Sequence, residues 1–189
     1  MKKNLLTLLF AGLTTLAIAQ ENKNAKDTTS VNPKINGNNE LKLNLGYAVA
    51  GILELNYERI IKDDMSIGVA ALVGLEDNVD YRFGIIPNFR IYFGSKKASG
   101  FFVEGNAAVI GSRDYYYDFS YTYNGTTYNQ NNGETRRDYT NFGLGIAAGG
   151  KFLTKNGFVG EIYGGVGRLF GNSNVEVYPR GGITIGKRF

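Results

Sequence analysis

From Glu40 onward the chain alternates between apolar and small or polar residues. Leu41, Leu43, Leu45, Tyr47 and Val49 are interleaved with Lys42, Asn44, Gly46 and Ala48, and Phe142, Leu144 and Ile146 with Asn141, Gly143, Gly145 and Ala147. A period of two marks strands whose two faces meet different neighbours. The alternation predicts about eight strands: Glu40–Ala50, Ile52–Ile61, Ser66–Leu75, Tyr81–Phe93, Phe101–Ser112, Tyr139–Phe152, Phe158–Phe170 and Tyr178–Phe189. Each is close to the length, about ten residues, that a tilted strand needs to cross a hydrocarbon layer. Turn-forming residues separate them, among them Lys62-Asp63-Asp64, Gly94-Ser95-Lys96-Lys97 and Lys155-Asn156-Gly157. Pro87 falls inside a strand and predicts a bulge or a local break in the ladder.

Alternation alone does not say which face meets solvent, because a soluble ligand-binding barrel alternates too, with its apolar face inward. The content of the polar face decides. It is dominated by Gly, Ala, Asn and Ser, with sparse charges at Lys42, Glu54, Glu58, Arg90, Glu104, Lys151, Glu161 and Arg180. A water-facing exterior favours long charged and β-branched polar residues, whereas a narrow lumen admits small side chains around a few charges. The apolar face carries aromatics toward strand ends, at Tyr47, Tyr57, Phe89, Phe93, Phe101, Phe152, Phe158 and Phe189, as interfacial girdles do. Arg168 shares the parity of Phe158, Ile162 and Val166, so it must lie above the hydrocarbon, snorkel, or follow a bulge. The expectation is an all-β fold: an eight-stranded antiparallel transmembrane β-barrel with short periplasmic turns and one long extracellular loop.

That loop is segment 113–138, between the fifth and sixth strands, long and rich in Tyr, Asn and Gly. If both ends of the barrel are periplasmic, the loops after the odd-numbered strands face outward, and the longest connection lies outside. The first outward loop, at Ala50-Gly51, is short for such a barrel.

Upstream, Lys2 and Lys3 precede an apolar run from Leu5 to Leu16 and then Ala17-Ile18-Ala19, the layout of a secretory signal peptide over 1–19. Residues 20–39 are polar and read as a flexible linker, which leaves 40–189 for the barrel. The chain has 21 Lys and Arg against 17 Asp and Glu, so without Lys2 and Lys3 the balance is 19 against 17, too small an excess to argue for nucleic-acid binding. With no cysteine, disulfides and thiolate metal sites are excluded.

Three stretches resemble outer-membrane β-barrel domains of Gram-negative bacteria, of the OmpX type and the OmpA transmembrane-domain type. They are Glu54-Leu55-Asn56-Tyr57-Glu58-Arg59, Pro87-Asn88-Phe89-Arg90-Ile91-Tyr92-Phe93 and Ile185-Gly186-Lys187-Arg188-Phe189. The resemblance spans about 40–189 and implies an outer-membrane location, with membrane lipid and lipopolysaccharide as surroundings. It also implies a partner in biogenesis: Ile183, Ile185 and Phe189 match the last-strand signal read by the barrel assembly machinery, from which Lys187 departs.

The chain contains no histidine. General-base work near neutral pH usually falls to histidine, and a Ser-His-Asp arrangement cannot exist without it. Carboxylate pairs such as Glu54 and Glu58, or Glu104 and Glu161, could do acid–base work. The simpler reading pairs them with Lys42, Arg90, Lys151 and Arg180 in a lumen network, because desolvated charges need partners. Glu76, Asp77, Asn78 and Asp80 could grip a divalent cation but read better as a solvated turn. No cofactor or metal is expected. The strongest functional candidate is the long loop, where Tyr115, Tyr116, Tyr117, Tyr121, Tyr123 and Tyr128 sit among Asn, Ser, Thr and Gly, a binding-surface composition. The sequence thus points to a non-enzymatic outer-membrane barrel with an envelope-structural or surface-binding role and an external partner for the loop. A narrow pore is the alternative, and a carboxylate-based enzyme a more remote one.

Overall fold

The computed structural model describes residues 37–76, 81–116, 121–123, 126–128, 135–171 and 176–189. The signal segment 1–19 and nearly all of the linker 20–39 lie outside the described residues.

The described chain forms β1 (Asn39–Asn44), a short helix α1 (Leu45–Val49), β2 (Ile52–Lys62), β3 (Met65–Gly74), β4 (Tyr81–Tyr92), β5 (Gly100–Tyr116), β6 (Tyr121–Tyr123), β7 (Thr126–Tyr128), β8 (Thr135–Leu153), β9 (Phe158–Phe170) and β10 (Val177–Arg188). Eight strands close into a barrel in the order β1-β10-β9-β8-β5-β4-β3-β2, with every pair antiparallel, while β6 and β7 make a separate two-stranded hairpin. Closure is completed by reciprocal bonds between Asn39 and Phe189, N–H to O at 3.1 and 2.8 Å. A closed ladder removes the sheet edges that would otherwise need covering. At one end, the turn end, lie the two-residue turn after β2, the 93–99 turn and the turn after β8. At the other, the loop end, lie α1 and the C-terminal ends of β3, β5 and β9.

The strand faces sort as the alternation requires. Outward positions are apolar and exposed: Leu55, Ile67, Val73, Ile85, Val103, Leu144, Ile146, Ile162, Val166 and Ile183 all lie between 37 and 67% exposed. Inward positions hold the charges, small residues and two clusters of larger apolar and aromatic side chains, and all eight predicted lumen charges are at most 3% exposed. The usual arrangement of a soluble domain is inverted.

The first strand departs from the expectation. The alternation through Leu45, Tyr47 and Val49 predicts strand to Ala50, but β1 stops at Asn44 and α1 follows. Asn44 causes the change. Its Oδ1 accepts from Tyr47 N–H as a helix N-cap, and its Nδ2 donates to Gly181 O and to Glu54 Oε1, both at 3.1 Å. The Asn44 side chain lies against Gly182, where a Cβ would fall 2.1 Å from Oδ1. Consequently β1 pairs with β10 only as far as Asn44↔Thr184, and the loop-end half of β10 is flanked by α1 instead of a strand. Tyr47 is therefore not an outward girdle aromatic. It is half-buried, packs against the upper core and donates its hydroxyl to Pro179 O at 2.8 Å. Pro179 itself has no N–H to leave unpaired at this seam.

Two other points are resolved. Pro87 makes a local break: the β4–β5 ladder lacks pairs at Ile86 and Pro87 yet resumes in the same register, while Val69↔Pro87 pairs normally on the β3 side. The β4–β5 register shift lies instead between Tyr81 and Phe83. Arg168 follows no bulge, since β8 and β9 pair continuously, and it faces outward with its guanidinium carbon 5.9 Å from the ring centre of Phe170. It reaches toward the loop end, as a snorkelling side chain does.

β5 and β8 run on past Ser112 and Tyr139 into the segments 114–116 and 135–138, which the sequence already allows as an extension of the two strands. They stay paired from Gly100↔Lys151 to Tyr116↔Thr135, whereas β4 ends at Tyr81↔Ser112 and β9 at Phe142↔Phe170. The four rungs from Arg113↔Asp138 to Tyr116↔Thr135 form a ribbon that rises roughly 13 Å beyond the wall.

Candidate functional site

Two features can carry function: the lumen and the ribbon. In the lumen, alternate positions of eight strands converge on a narrow interior, so every inward charge is desolvated and must find a partner within reach. The structure brings together all eight predicted charges and adds Glu40 and Arg188. Among the described residues the buried charges are five carboxylates (Glu40, Glu54, Glu58, Glu104, Glu161) and five cations (Lys42, Arg90, Lys151, Arg180, Arg188), which balance.

They form a continuous chain along the barrel axis. At the turn end, Arg188 binds Glu40 at 2.6 Å and donates to Lys97 O and Ala98 O at 2.9 and 2.8 Å. Glu40 accepts from Lys151 at 2.8 Å, and Lys151 also reaches Glu58 at 2.7 Å. Lys42 donates to Glu161 at 2.6 Å and pairs closely with Glu58. Arg90 is the hub: its Nη1 donates to Glu58 at 3.0 Å and to both oxygens of Glu161 at 3.0 and 3.1 Å, and its Nε to Glu104 at 2.8 Å. Arg180 continues the chain from Glu104 at 2.9 Å to Glu54 at 3.2 Å. Aromatic faces line the cations, with Arg90 4.4 Å over Phe102, Lys151 4.5 Å over Tyr92 and Arg180 5.1 Å over Tyr163. Tyr92 and Tyr163 also donate hydroxyls to Glu58 and Glu54.

The network is closed at both ends. At the turn end the 93–99 turn folds into the mouth, with Ala98 fully buried beside Ile60, Tyr92 and Phe102 and its N–H bonded to Asp63 O at 2.6 Å. At the loop end an apolar plug of Ile52, Leu72, Ile86, Ile110, Leu169 and Tyr178 fills the interior. Glu40, Glu58 and Glu161 offer oxygens within 4.8 Å of one another, a spacing that would suit a metal. The ammonium groups of Lys42 and Lys151 each contact all three, so two protein cations already occupy the position.

Glu40 and Arg188 escaped the sequence reading although their parity matches Lys42 and Thr184. Each sits at the edge of its segment, where alternation is shortest. The buried tyrosines Tyr92, Tyr163 and Tyr178 share inward parity too, and reading aromatics as outward hid them.

Of the ribbon tyrosines, Tyr115 and Tyr116 lie on the projecting part of β5, and Tyr121, Tyr123 and Tyr128 on β6 and β7, with Tyr121 and Tyr128 as Cα partners. Tyr117 lies outside the described residues, as do three of the four loop acids and amides proposed for a cation, of which only Glu76 is described. At the ribbon's base Arg113 Nε donates to Asp138 Oδ1 at 2.8 Å, a cross-strand pair that holds the Asp138 carboxyl below its ordinary value. Ile183, Ile185 and Phe189 line the outward face of β10 and its end, 54, 43 and 60% exposed.

No protein-family model matches the chain. No curated protein matches it in sequence. Among solved structures, the N-terminal β-barrel domain of Pseudomonas aeruginosa OprF is similar, with a TM-score of 0.46 and 14% identity over 80% of this chain and 95% of that one.

Proposed function

We propose that this chain is a non-enzymatic outer-membrane β-barrel protein that holds a tyrosine-rich ribbon above the membrane for contact with an external partner. One observation carries the membrane reading: the charges are inside and paired, while the outward band is apolar. Among the described residues, exposed charges of the barrel strands lie toward strand ends, as at Arg59, Lys62 and Arg168, or on the ribbon, as at Asp138. Hydrocarbon is the surrounding that makes this arrangement favourable, because apolar exposure to water costs roughly 25 cal/mol per Å2.

The filled lumen supports a non-conducting barrel over a pore, since a solute would have to displace matched ion pairs in a space already occupied by side chains. It also disfavours carboxylate chemistry, because each inward glutamate is held by a cation or by buried donors. The ribbon supports a binding role in two ways. Its composition suits an adaptable contact surface. Above Phe142↔Phe170 and Tyr81↔Ser112 the ladder of the described residues is β5 with β8, a two-stranded ribbon of the kind that strand addition extends. Cells displaying the intact chain and a variant lacking 115–137 provide the test. Adhesion lost in the variant, with the barrel still resisting unfolding by detergent before boiling, supports the role; unchanged adhesion removes it.

A further inference from the structure

Lys187 departs from the last-strand pattern, and the structure gives it a setting. Its ammonium lies 5.2 Å from the ring centre of Phe158, its Cα partner on β9. Across β1, Arg59 Nη1 donates to Asn39 Oδ1 at 3.0 Å, and the same oxygen accepts from the Tyr57 hydroxyl at 2.9 Å. Lys97 reaches from the 93–99 turn to Asn38 Oδ1 at 2.6 Å. Three cations thus gather around the start of β1, and each is positioned by a neutral group, a ring or an amide.

The turn end as a whole is basic. Among the described residues it exposes, wholly or in part, Arg59, Lys62, Lys96, Lys97, Lys155 and Lys187. Against these six stand the side chains of Asp63 and Asp64, and counting the carboxyl of Phe189 makes three. The nearby Glu40 and Glu58 face inward and are held by lumen cations. The outward strand residues of this sector, on β9, β10, β1 and β2, include no carboxylate.

A notch lies one outward step deeper. Gly160 has Ile185 and Phe152 as Cα partners and shares the outward parity of Phe158 and Ile162. A Cβ built on it would meet nothing within 4 Å. The exposed side chains of Phe152, Phe158, Ile162 and Ile185 wall it. Aromatics at a strand end mark the headgroup boundary. The cations therefore sit at the height of lipid phosphates, and the notch below them opens to acyl chains.

We infer that this corner of the barrel binds an anionic phospholipid, one whose phosphodiester headgroup carries no ammonium. Lys187 donates to the phosphate, Arg59 and Lys97 supply the surrounding positive field, and an acyl chain lies in the Gly160 notch. Clustered basic side chains at a membrane surface select anionic headgroups. A headgroup ammonium would instead meet like charge, with no outward strand carboxylate to accept its hydrogen bonds. The turn end is the periplasmic one in the membrane reading, away from the lipopolysaccharide, so a glycerophospholipid is the lipid at hand.

This inference rests on the membrane reading, and its test separates the two. The full chain, refolded in neutral maltoside micelles, is titrated with phosphatidylglycerol or phosphatidylethanolamine of identical acyl chains, and retained lipid is read by native mass spectrometry. Each variant is first shown to be folded by its gel shift on boiling. The wild type should retain phosphatidylglycerol about five-fold better. Lys187→Gln should lower phosphatidylglycerol to about the level of the ethanolamine lipid, whereas Lys187→Arg keeps the preference. Gly160→Leu fills the notch and should weaken both lipids about three-fold without changing their ratio. Lys96→Gln, on the 93–99 turn, removes the same charge elsewhere on the rim and should alter neither. Equal retention of the two lipids by the wild type overturns the proposal, as does wild-type retention by Lys187→Gln. An equal loss in Lys96→Gln and Lys187→Gln reduces the effect to net charge and overturns it too. A chain that folds in micelles without lipid preference rejects the site and leaves the membrane reading standing. A chain that stays soluble without detergent rejects both.

Discussion

The ring of Tyr178 lies directly on Gly167: a Cβ built there would fall 2.1 Å from Tyr178 Cζ. Gly145 and Gly143 complete the bed, at 2.7 Å from the hydroxyl and 2.8 Å from Cε1. Tyr178 is 1% exposed and donates its hydroxyl to Asn106 Oδ1, so the ring is fixed from the far side. Glycine is required at 167 by close approach, since β9 there is ordinary strand. Gly167→Ala should destabilise the barrel by about 1–3 kcal/mol, as overpacking does. Equilibrium unfolding in urea checks this, and the effect should largely vanish in a Tyr178→Ala background. Additive losses would show that the ring and the glycine are not coupled.

Arg90 joins three carboxylates at the centre of the lumen. Arg90→Met removes one of five buried cations and leaves five carboxylates. The expected loss is about 3–5 kcal/mol, the range for breaking a buried ion pair from one side. Adding Glu104→Gln should recover part of it by restoring the balance, again measured by unfolding. A double variant that merely sums the two losses would contradict the balanced network.

Asn44 and Tyr47 stand in for the strand missing beside β10. Asn44→Ala removes a helix cap and frees the Gly181 carbonyl, and a loss of about 1–3 kcal/mol follows. Amide hydrogen exchange should accelerate over 177–183 while β3 and β4 stay protected. Uniform exchange across the barrel would mean that α1 does not seal this seam.

Depth along β8 gives a graded prediction. Leu144 is the Cα partner of Arg168, close to the Phe142–Phe170 pair, whereas Ile146 sits one outward position deeper and is 67% exposed. Ile146→Arg should cost about 2–4 kcal/mol in a bilayer, and Leu144→Arg less, because its guanidinium can reach the interface. Refolding into vesicles with denaturant titration measures both. Equal or absent penalties would invert the assignment of faces.

Much of this was legible in the alternation. Parity alone puts Lys42, Glu54, Glu58, Arg90, Glu104, Lys151, Glu161 and Arg180 inside, and the structure joins all eight. Alternation reports a face and not a partner, so the position of Arg90 as hub needed the strand order, which brings Glu58, Glu104 and Glu161 from three other strands. The helix α1 was missed because Leu45, Tyr47 and Val49 keep the period of a strand while a side chain, Asn44, ends it. The burial of Ala98 and Ser99 at the end of the 93–99 turn was unreadable for a related reason: the anchor, Arg188, lies 91 positions from Lys97 in sequence. Long-range side-chain to backbone bonds leave no local pattern.

The account's central claim is that the oily face of the strands meets acyl chains. The chain contains no cysteine, so a single spin label at Ile146→Cys reports on one site only. In lipid vesicles its relaxation should be enhanced strongly by dissolved oxygen and hardly at all by a water-soluble nickel chelate. Enhancement by the chelate instead, or a label immobilised in a packed interior and shielded from oxygen, would contradict the account.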